Sequence, residues 1–327
     1  MTPQRRRATF VAIVILALGA IGQSVWRARP SSRATSPAVA PPTRLTAPPD
    51  RPFVVVRHLA DGDEWSHVAL IPLAALDGPR FVAPLRCSRV YSSGGRGLCL
   101  ETSGLGGRAI LLDADWRPTA TLALTGPPSR ARVSRDGRFA AYTVFETGHS
   151  YADADFSTRT TIVDTATATP LPDLETWPAW QGTTRVSRTD SNFWGITFHP
   201  DGRHVYATLA FGGTPYLVRG DLESREFHVL ARDIECPSLS PDARRIAFKR
   251  ADGPQWRLWV RDLASGAEHS IVGETRNIDD QVEWLDDGRV LYQVRSGVAL
   301  DVFVAEVDGA TPARVFVRDA WSPSVVR

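Results

Sequence analysis

Methionine, cysteine and helical periodicity are all scarce in this chain of 327 residues. Its three cysteines, Cys87, Cys99 and Cys236, include no C-x-x-C spacing, which argues against a structural zinc site. No sustained 3.6-residue apolar period is present, which argues against a helical bundle or a helical repeat. A basic stripe is also missing. Residues 1–52 hold eight arginines against Asp50 alone, so 30 basic and 35 acidic residues remain from Phe53 onward. A mildly acidic domain lacks the footprint that phosphate binding needs, and nucleic acid is set aside as a partner despite a pI near 8.6. What is plentiful is apolar and aromatic: 43% of residues belong to the AVILMFWYC set, with 10 Trp against one Met. That composition describes a soluble globular chain with a sizeable core, neither disordered nor polytopic.

The N-terminus reads as an export segment. Arg5-Arg6-Arg7 precedes an apolar stretch whose uncharged core, Phe10 to Gly22, is 13 residues long. That is signal-peptide length and short of the roughly 20 residues that span a bilayer, although Gln23 to Trp26 extend it. Ala20-Ile21-Gly22 offers a small-x-small cleavage site, so residues 1–26 are a signal peptide or a retained transmembrane anchor. The positive cluster ahead of the segment favours a cytoplasmic N-terminus and an exported C-terminus. Residues 27–52 are rich in Pro, Ser, Ala and Thr and read as an extended linker, with a folded domain from 53 to 327.

Within that domain a polar turn recurs between two β-rich segments: Arg135-Asp136-Gly137-Arg138, Pro200-Asp201-Gly202-Arg203, Pro241-Asp242-Ala243-Arg244 and Asp286-Asp287-Gly288-Arg289, with a weaker copy at Gly94-Gly95-Arg96. Asp and Gly reverse the chain there at low steric cost. Successive spacings are 42, 65, 41 and 45 residues, and a period of about 40–45 with four strands per unit marks propeller blades. The long interval predicts an insertion at about 147–193. Ser322-Pro323-Ser324-Val325 matches Cys236-Pro237-Ser238-Leu239, so the last unit retains only its first strand. Strands at Phe53 to Arg57, His67 to Ile71 and Phe81 to Pro84 complete it, giving an all-β, six-bladed β-propeller with no open sheet edge at the seam.

The segment Ser240-Pro241-Asp242-Ala243-Arg244-Arg245-Ile246-Ala247-Phe248 resembles the S-P-D-G-R-x-I-A-F hairpin of TolB-type six-bladed propellers. The likeness runs from about 53 to 327. Gly148-His149-Ser150-Tyr151, Asn192-Phe193-Trp194-Gly195, Glu235-Cys236-Pro237 and Asp279-Asp280-Gln281 look like an exported TolB-like group of high-GC bacteria. The resemblance implies a periplasmic or cell-surface binding scaffold and no catalytic mechanism.

In a propeller the residues that open the innermost strands ring the channel mouth. By the repeat alignment these are Cys87, Ser129, Trp194, Glu235, Asp280 and Trp321, followed by Ser88, Arg130, Gly195, Cys236, Gln281 and Ser322. Trp194 and Trp321 offer aromatic platforms beside the polar groups of Arg130, Glu235, Asp280 and Gln281, which is the composition of a recognition site. The insertion supplies His149 and Tyr151 as a lid. His149, Asp153 and Asp155 are weak candidates for a cation, matching no closed ligand spacing, and no cofactor is expected. Glu235 and Asp280 occupy equivalent positions on neighbouring blades, where two carboxylates can share a ligand or raise one pKa. Cys87 and Cys99 flank one hairpin and are the candidate disulfide, although a symmetric turn sets Cys87 nearer Thr102. His58, His67, His199, His204, His228 and His269 read as surface or turn residues.

The expectation is an exported, membrane-tethered, non-catalytic binding module of the cell envelope. Its partner is an envelope protein or a small polar ligand, and it touches the cytoplasmic membrane through the N-terminal segment if that is uncleaved. The alternative is a propeller enzyme on carbohydrate or peptide that works through the channel-mouth carboxylates.

Overall fold

The polar turns organise the strands around them. In Ser134-Arg135-Asp136-Gly137, the Asp136 carboxylate accepts from Ser134 Oγ (2.6 Å) and from the Arg138 amide, while Gly137 takes the left-handed φ of 73°. The Ser240–Asp242 turn repeats the pattern, with Ala243 at φ 61° where the other copy has glycine. At the third turn His199 replaces the serine, and both His199 and His204 reach Asp201. Each turn joins an innermost strand to its neighbour in an antiparallel pair.

A computed structural model describes residues 42–104, 106–146, 157–187, 190–297 and 299–327. Residues 1–41, which include the expected signal or anchor segment and most of the expected linker, and residues His149, Tyr151, Asp153 and Asp155 lie outside these. Among the described residues no helix is long and apolar enough to cross a membrane.

The strands form six sheets, the blades of a six-bladed β-propeller. Blade 1 combines Phe53–His58, His67–Pro72 and Phe81–Arg86 with Ala320–Val326, which pairs antiparallel to Phe53–His58. Blade 2 runs from Arg89–Ser93 outward to Pro118–Leu124, and blade 3 from Pro128–Val133 through Phe139–Glu146 and Ser157–Asp164 to Thr169–Pro170. Blades 4, 5 and 6 begin at Asn192–Phe198, Glu235–Leu239 and Glu283–Asp286. Six apolar clusters hold the ring, one between each adjacent pair of blades. That between blades 6 and 1 sets Leu291, Val302 and Val304 against Val54, Val56 and Ile71. Sheets covered on both faces read as nearly continuous apolar runs, as in Phe53–Val56, all four buried. Each fully buried side chain such as Leu70 or Phe227 contributes about 1.5–3 kcal/mol.

Hydroxyl side chains bridge the inner strands. Ser322 and Ser324 of blade 1 each accept from and donate to the backbone of blade 2, at Val90 and Ser92. Thr208 and Thr197 of blade 4 accept the Cys236 and Leu239 amides of blade 5. Such bonds satisfy backbone groups that the innermost strand, having one sheet neighbour, leaves open.

One boundary differs from the sequence reading. Thr43–Arg44, assigned to the linker by composition, pairs parallel to Phe81–Arg86, with Leu45 packed on the core between blades 1 and 2. A two-residue edge pairing uses backbone groups and one apolar anchor, so composition is blind to it. Within the interval 147–193 lie the two outer strands of blade 3. Beyond them, Ala179–Gln181 and Thr184–Val186 form a hairpin that extends the outer edge of blade 4, parallel to Glu226–Arg232.

Candidate functional site

The mouth residues owe their direction to a repeated backbone device. Trp194, Glu235 and Trp321 are each followed by a left-handed residue, Gly195 (φ 66°), Cys236 (φ 51°) and Ser322 (φ 55°), and the strand register shifts just beyond. A bulge of this kind bends the strand and re-aims the preceding side chain. At Gly195 the device has no alternative residue: a Cβ there would lie 2.7 Å from the Cα of Cys236.

Beneath the mouth lies a charged cluster centred on Asp280, which is 5% exposed. Its Oδ2 accepts from Arg89 Nη1 at 2.6 Å, and its Oδ1 faces Arg130 Nη1 at 3.2 Å and accepts the Gln281 amide at 2.7 Å. Burial opposes ionisation of Asp280, but Arg130 and Arg89 overcome it and hold the carboxyl below the usual carboxylate range. The Arg89 guanidinium also stacks 5.6 Å from the Trp321 ring. Gln281 spans to neighbouring blades, its Nε2 donating to the carbonyls of Gly195, Ile196 and Pro237.

A second cluster rests on blade 5. Glu235 and Lys249 are direct cross-strand partners, with Nζ 3.5 Å from the Glu235 carboxylate. Lys249 is the only lysine in the chain. Its ammonium also binds Asp279 and sits 3.9 Å from the Trp256 ring centroid. Burial disfavours the charged lysine, but Cys236, Glu235 and Asp279 around it keep its pKa above the ordinary value. Burial pushes Glu235 up, against the pull of Lys249.

These clusters line a cavity of about 630 Å³ that opens at the start of the inner strands. Its polar wall is Arg89, Arg130, Glu235, Lys249 and Asp279, and its apolar wall includes Trp194, Trp256 and Phe145. Farther along the same strands a separate cavity of about 50 Å³ lies where Arg132 stacks on Tyr91 and Tyr91 donates to Glu283.

Of the residues expected at the mouth, Ser129, Arg130, Trp194 and Glu235 line this cavity, Asp280 and Gln281 lie beneath it, and Trp321 backs Arg89. Cys87 stands apart, bonded to Cys99 with Cα atoms 5.4 Å apart. Cys87 precedes its strand and folds onto the sheet face, so the strand register that sets it opposite Thr102 does not apply; Ser88 takes the Thr102 hydroxyl instead, at 2.7 Å. Arg89 provides blade 2's contribution two residues later. Sequence reasoning missed Arg89, Lys249, Trp256 and Asp279. The available signal was the lone lysine closing the buried run Ile246-Ala247-Phe248, a charge where the pattern calls for an apolar residue. His149, Tyr151, Asp153 and Asp155 lie outside the described residues, among which no cluster of metal-ligating side chains occurs.

Two expectations need correction. Glu235 and Asp280 are not in contact through a shared ion pair: Glu235 faces Lys249, Asp280 lies between Arg89 and Arg130, and their pKa values move in opposite directions. His58 is not a surface residue but 3% exposed, with Nδ1 2.8 Å from Arg80 Nη1. Burial, with Arg80 adding to it, lowers its pKa to about 4.

No protein-family model and no curated relative matches the sequence. Solved structures do. TolB from Acinetobacter baumannii is similar with a TM-score of 0.58 at 16% identity, over 84% of this chain and 66% of that one, so the chain spans just under two thirds of that protein. An oligogalacturonate lyase in complex with manganese gives a TM-score of 0.51 at 12% identity, over 75% of this chain and 72% of that one. A nidogen/laminin complex gives 0.50 at 12%, over 84% and 98%. At these identities the likeness is one of fold, and the fold is the six-bladed β-propeller of TolB-like proteins.

Proposed function

We propose that this chain is an exported β-propeller, tethered to the cytoplasmic membrane by its N-terminal segment or released from it, that serves the cell envelope as a non-catalytic binding module. One observation carries the reading: a cavity of about 630 Å³ at the channel mouth, walled by Trp194 and Trp256 and floored by paired charges. Aromatic walls with a few convergent polar groups suit recognition of a small polar ligand or of a segment of an envelope protein. The three arginines ahead of an uncharged apolar core support export.

The test is thermal unfolding of the full chain, in mild detergent, against panels of glycans, peptides and divalent cations. A ligand of the native state at a hundredfold excess over its Kd adds about 2.7 kcal/mol of apparent stability. The expected result is a shift that Trp194→Ala abolishes. A shift that survives Trp194→Ala and Arg130→Gln would place the ligand elsewhere. No shift from any panel would replace the small ligand with a protein partner, to be recovered stoichiometrically from membranes.

A further inference from the structure

Charge is balanced on the floor of the mouth. Three cations, Arg89, Arg130 and Lys249, stand among three carboxylates, Glu235, Asp279 and Asp280, and each has an opposite charge within 3.5 Å. A charged ligand that enters beside a matched set leaves one charge over, and an unpaired charge in a partly desolvated site is costly. An uncharged ligand carries no such cost.

Hydrogen-bonding capacity nevertheless remains. Lys249 Nζ reaches one oxygen of Glu235 and one of Asp279, so both carboxylates can accept further bonds. The Ser129 hydroxyl accepts from Arg130 Nη1 at 3.0 Å and keeps its own proton to donate. A ligand hydroxyl both donates and accepts, so it can join these groups without displacing any of the ion pairs. Above the floor the walls are flat and apolar: Trp194, Trp256 and Phe145, with Pro128 and Pro215 between them. Phe145 is 39% exposed in that wall, and Lys249 covers one face of Trp256. A pyranose ring presents C–H groups on its faces and hydroxyls around its edge, which matches apolar walls over a polar floor. A cavity of about 630 Å³ has room for two such rings.

We infer that the ligand of this mouth is an uncharged sugar, a pyranoside or disaccharide, with a ring face on Trp194 and hydroxyls donating to Glu235 and Asp279. This inference rests on the channel-mouth binding reading above and adds the chemical class of the ligand.

The experiment is isothermal titration of the full chain in mild detergent with three matched sets, built on glucose, galactose and mannose. Each set holds the neutral methyl glycoside, its uronate and its 2-amino-2-deoxy form, so that one ring is presented with three charges. In at least one set the neutral member is expected to bind at least about tenfold tighter than either charged member. Its Kd is expected to move less than about twofold between about 20 and about 500 mM salt, as for a ligand with no charge to screen. Asp279→Asn, at a side chain 58% exposed, leaves one positive charge over. The uronate is then expected to gain about three- to fivefold on the neutral glycoside, the worth of a partly exposed ion pair. Trp194→Ala is expected to abolish binding of every member. A charged member that equals the neutral one, or a uronate ratio unmoved by Asp279→Asn, overturns the inference and leaves the cavity reading intact. Failure of every sugar while a peptide stabilises the protein through Trp194 does the same. Sugar binding that survives Trp194→Ala places the sugar elsewhere and overturns the inference. Failure of every ligand of any class overturns it and passes the mouth to a protein partner.

Discussion

Replacing Asp280 by Asn tests whether the mouth is organised by charge or merely by shape. Asn keeps the volume and an acceptor for the Gln281 amide, so the substitution removes little except the negative charge. Two guanidiniums, 2.6 and 3.2 Å from the carboxylate and with side chains only 16% and 13% exposed, then lose their shared counterion. Breaking one buried pair by removing a partner costs about 3–5 kcal/mol, most of it the penalty of the stranded charge. With two stranded cations, D280N should lie at the upper end of that range. Adding Arg130→Met removes one of them and should restore about half the loss, a coupling that independent sites would not produce. Guanidinium unfolding curves of the four proteins, taken at equal m, supply all the numbers. A D280N loss below about 1 kcal/mol, or strict additivity in the double variant, would refute the argument.

Two further predictions concern the scaffold. His58 has a folded pKa of about 4, below its ordinary 6.5, so the unfolded chain binds its proton first as pH falls. Its contribution is complete above about pH 6.5 and lost between there and pH 4, amounting to about 3 kcal/mol. Stability measured from pH 7 to 4 should therefore fall less steeply in His58→Gln, and equal slopes would contradict the assignment. At the turns, Ala243→Gly should raise stability by about 0.5–1 kcal/mol by relieving a left-handed alanine, whereas Gly195→Ala should lower it by more than about 2 kcal/mol. Thermal melts of the two variants check the opposite signs.

The repeat of Asp-Gly turns was enough to count blades, because each turn sits between the two innermost strands, where both sheet faces are buried and the apolar run is unbroken. Outer strands such as Pro118–Leu124 are half exposed and carry no comparable signal, and Thr43–Arg44 joins its sheet by backbone alone. The mouth was legible where one residue per blade opens an inner strand, as for Arg130, Trp194, Glu235 and Asp280. Lys249 and Trp256 come from the second and third strands of blade 5 and reach the cavity over Glu235, a placement that depends on cross-strand register and side-chain length. Arg89 entered because the Cys87–Cys99 bond draws the expected ring residue away from the mouth. His58 was misread because nothing around it in sequence announces Arg80, its partner 22 residues away.

The most direct test of binding at the channel mouth uses the single lysine. Incorporating lysine labelled with carbon-13 at Cε gives the full chain one labelled side chain, and it lies against Trp256 inside the cavity. The account predicts one resonance displaced upfield by the indole ring, and a further displacement, saturable with the same Kd, when a ligand that stabilises the protein is added. A stabilising ligand at saturation that leaves this resonance unmoved would contradict the account.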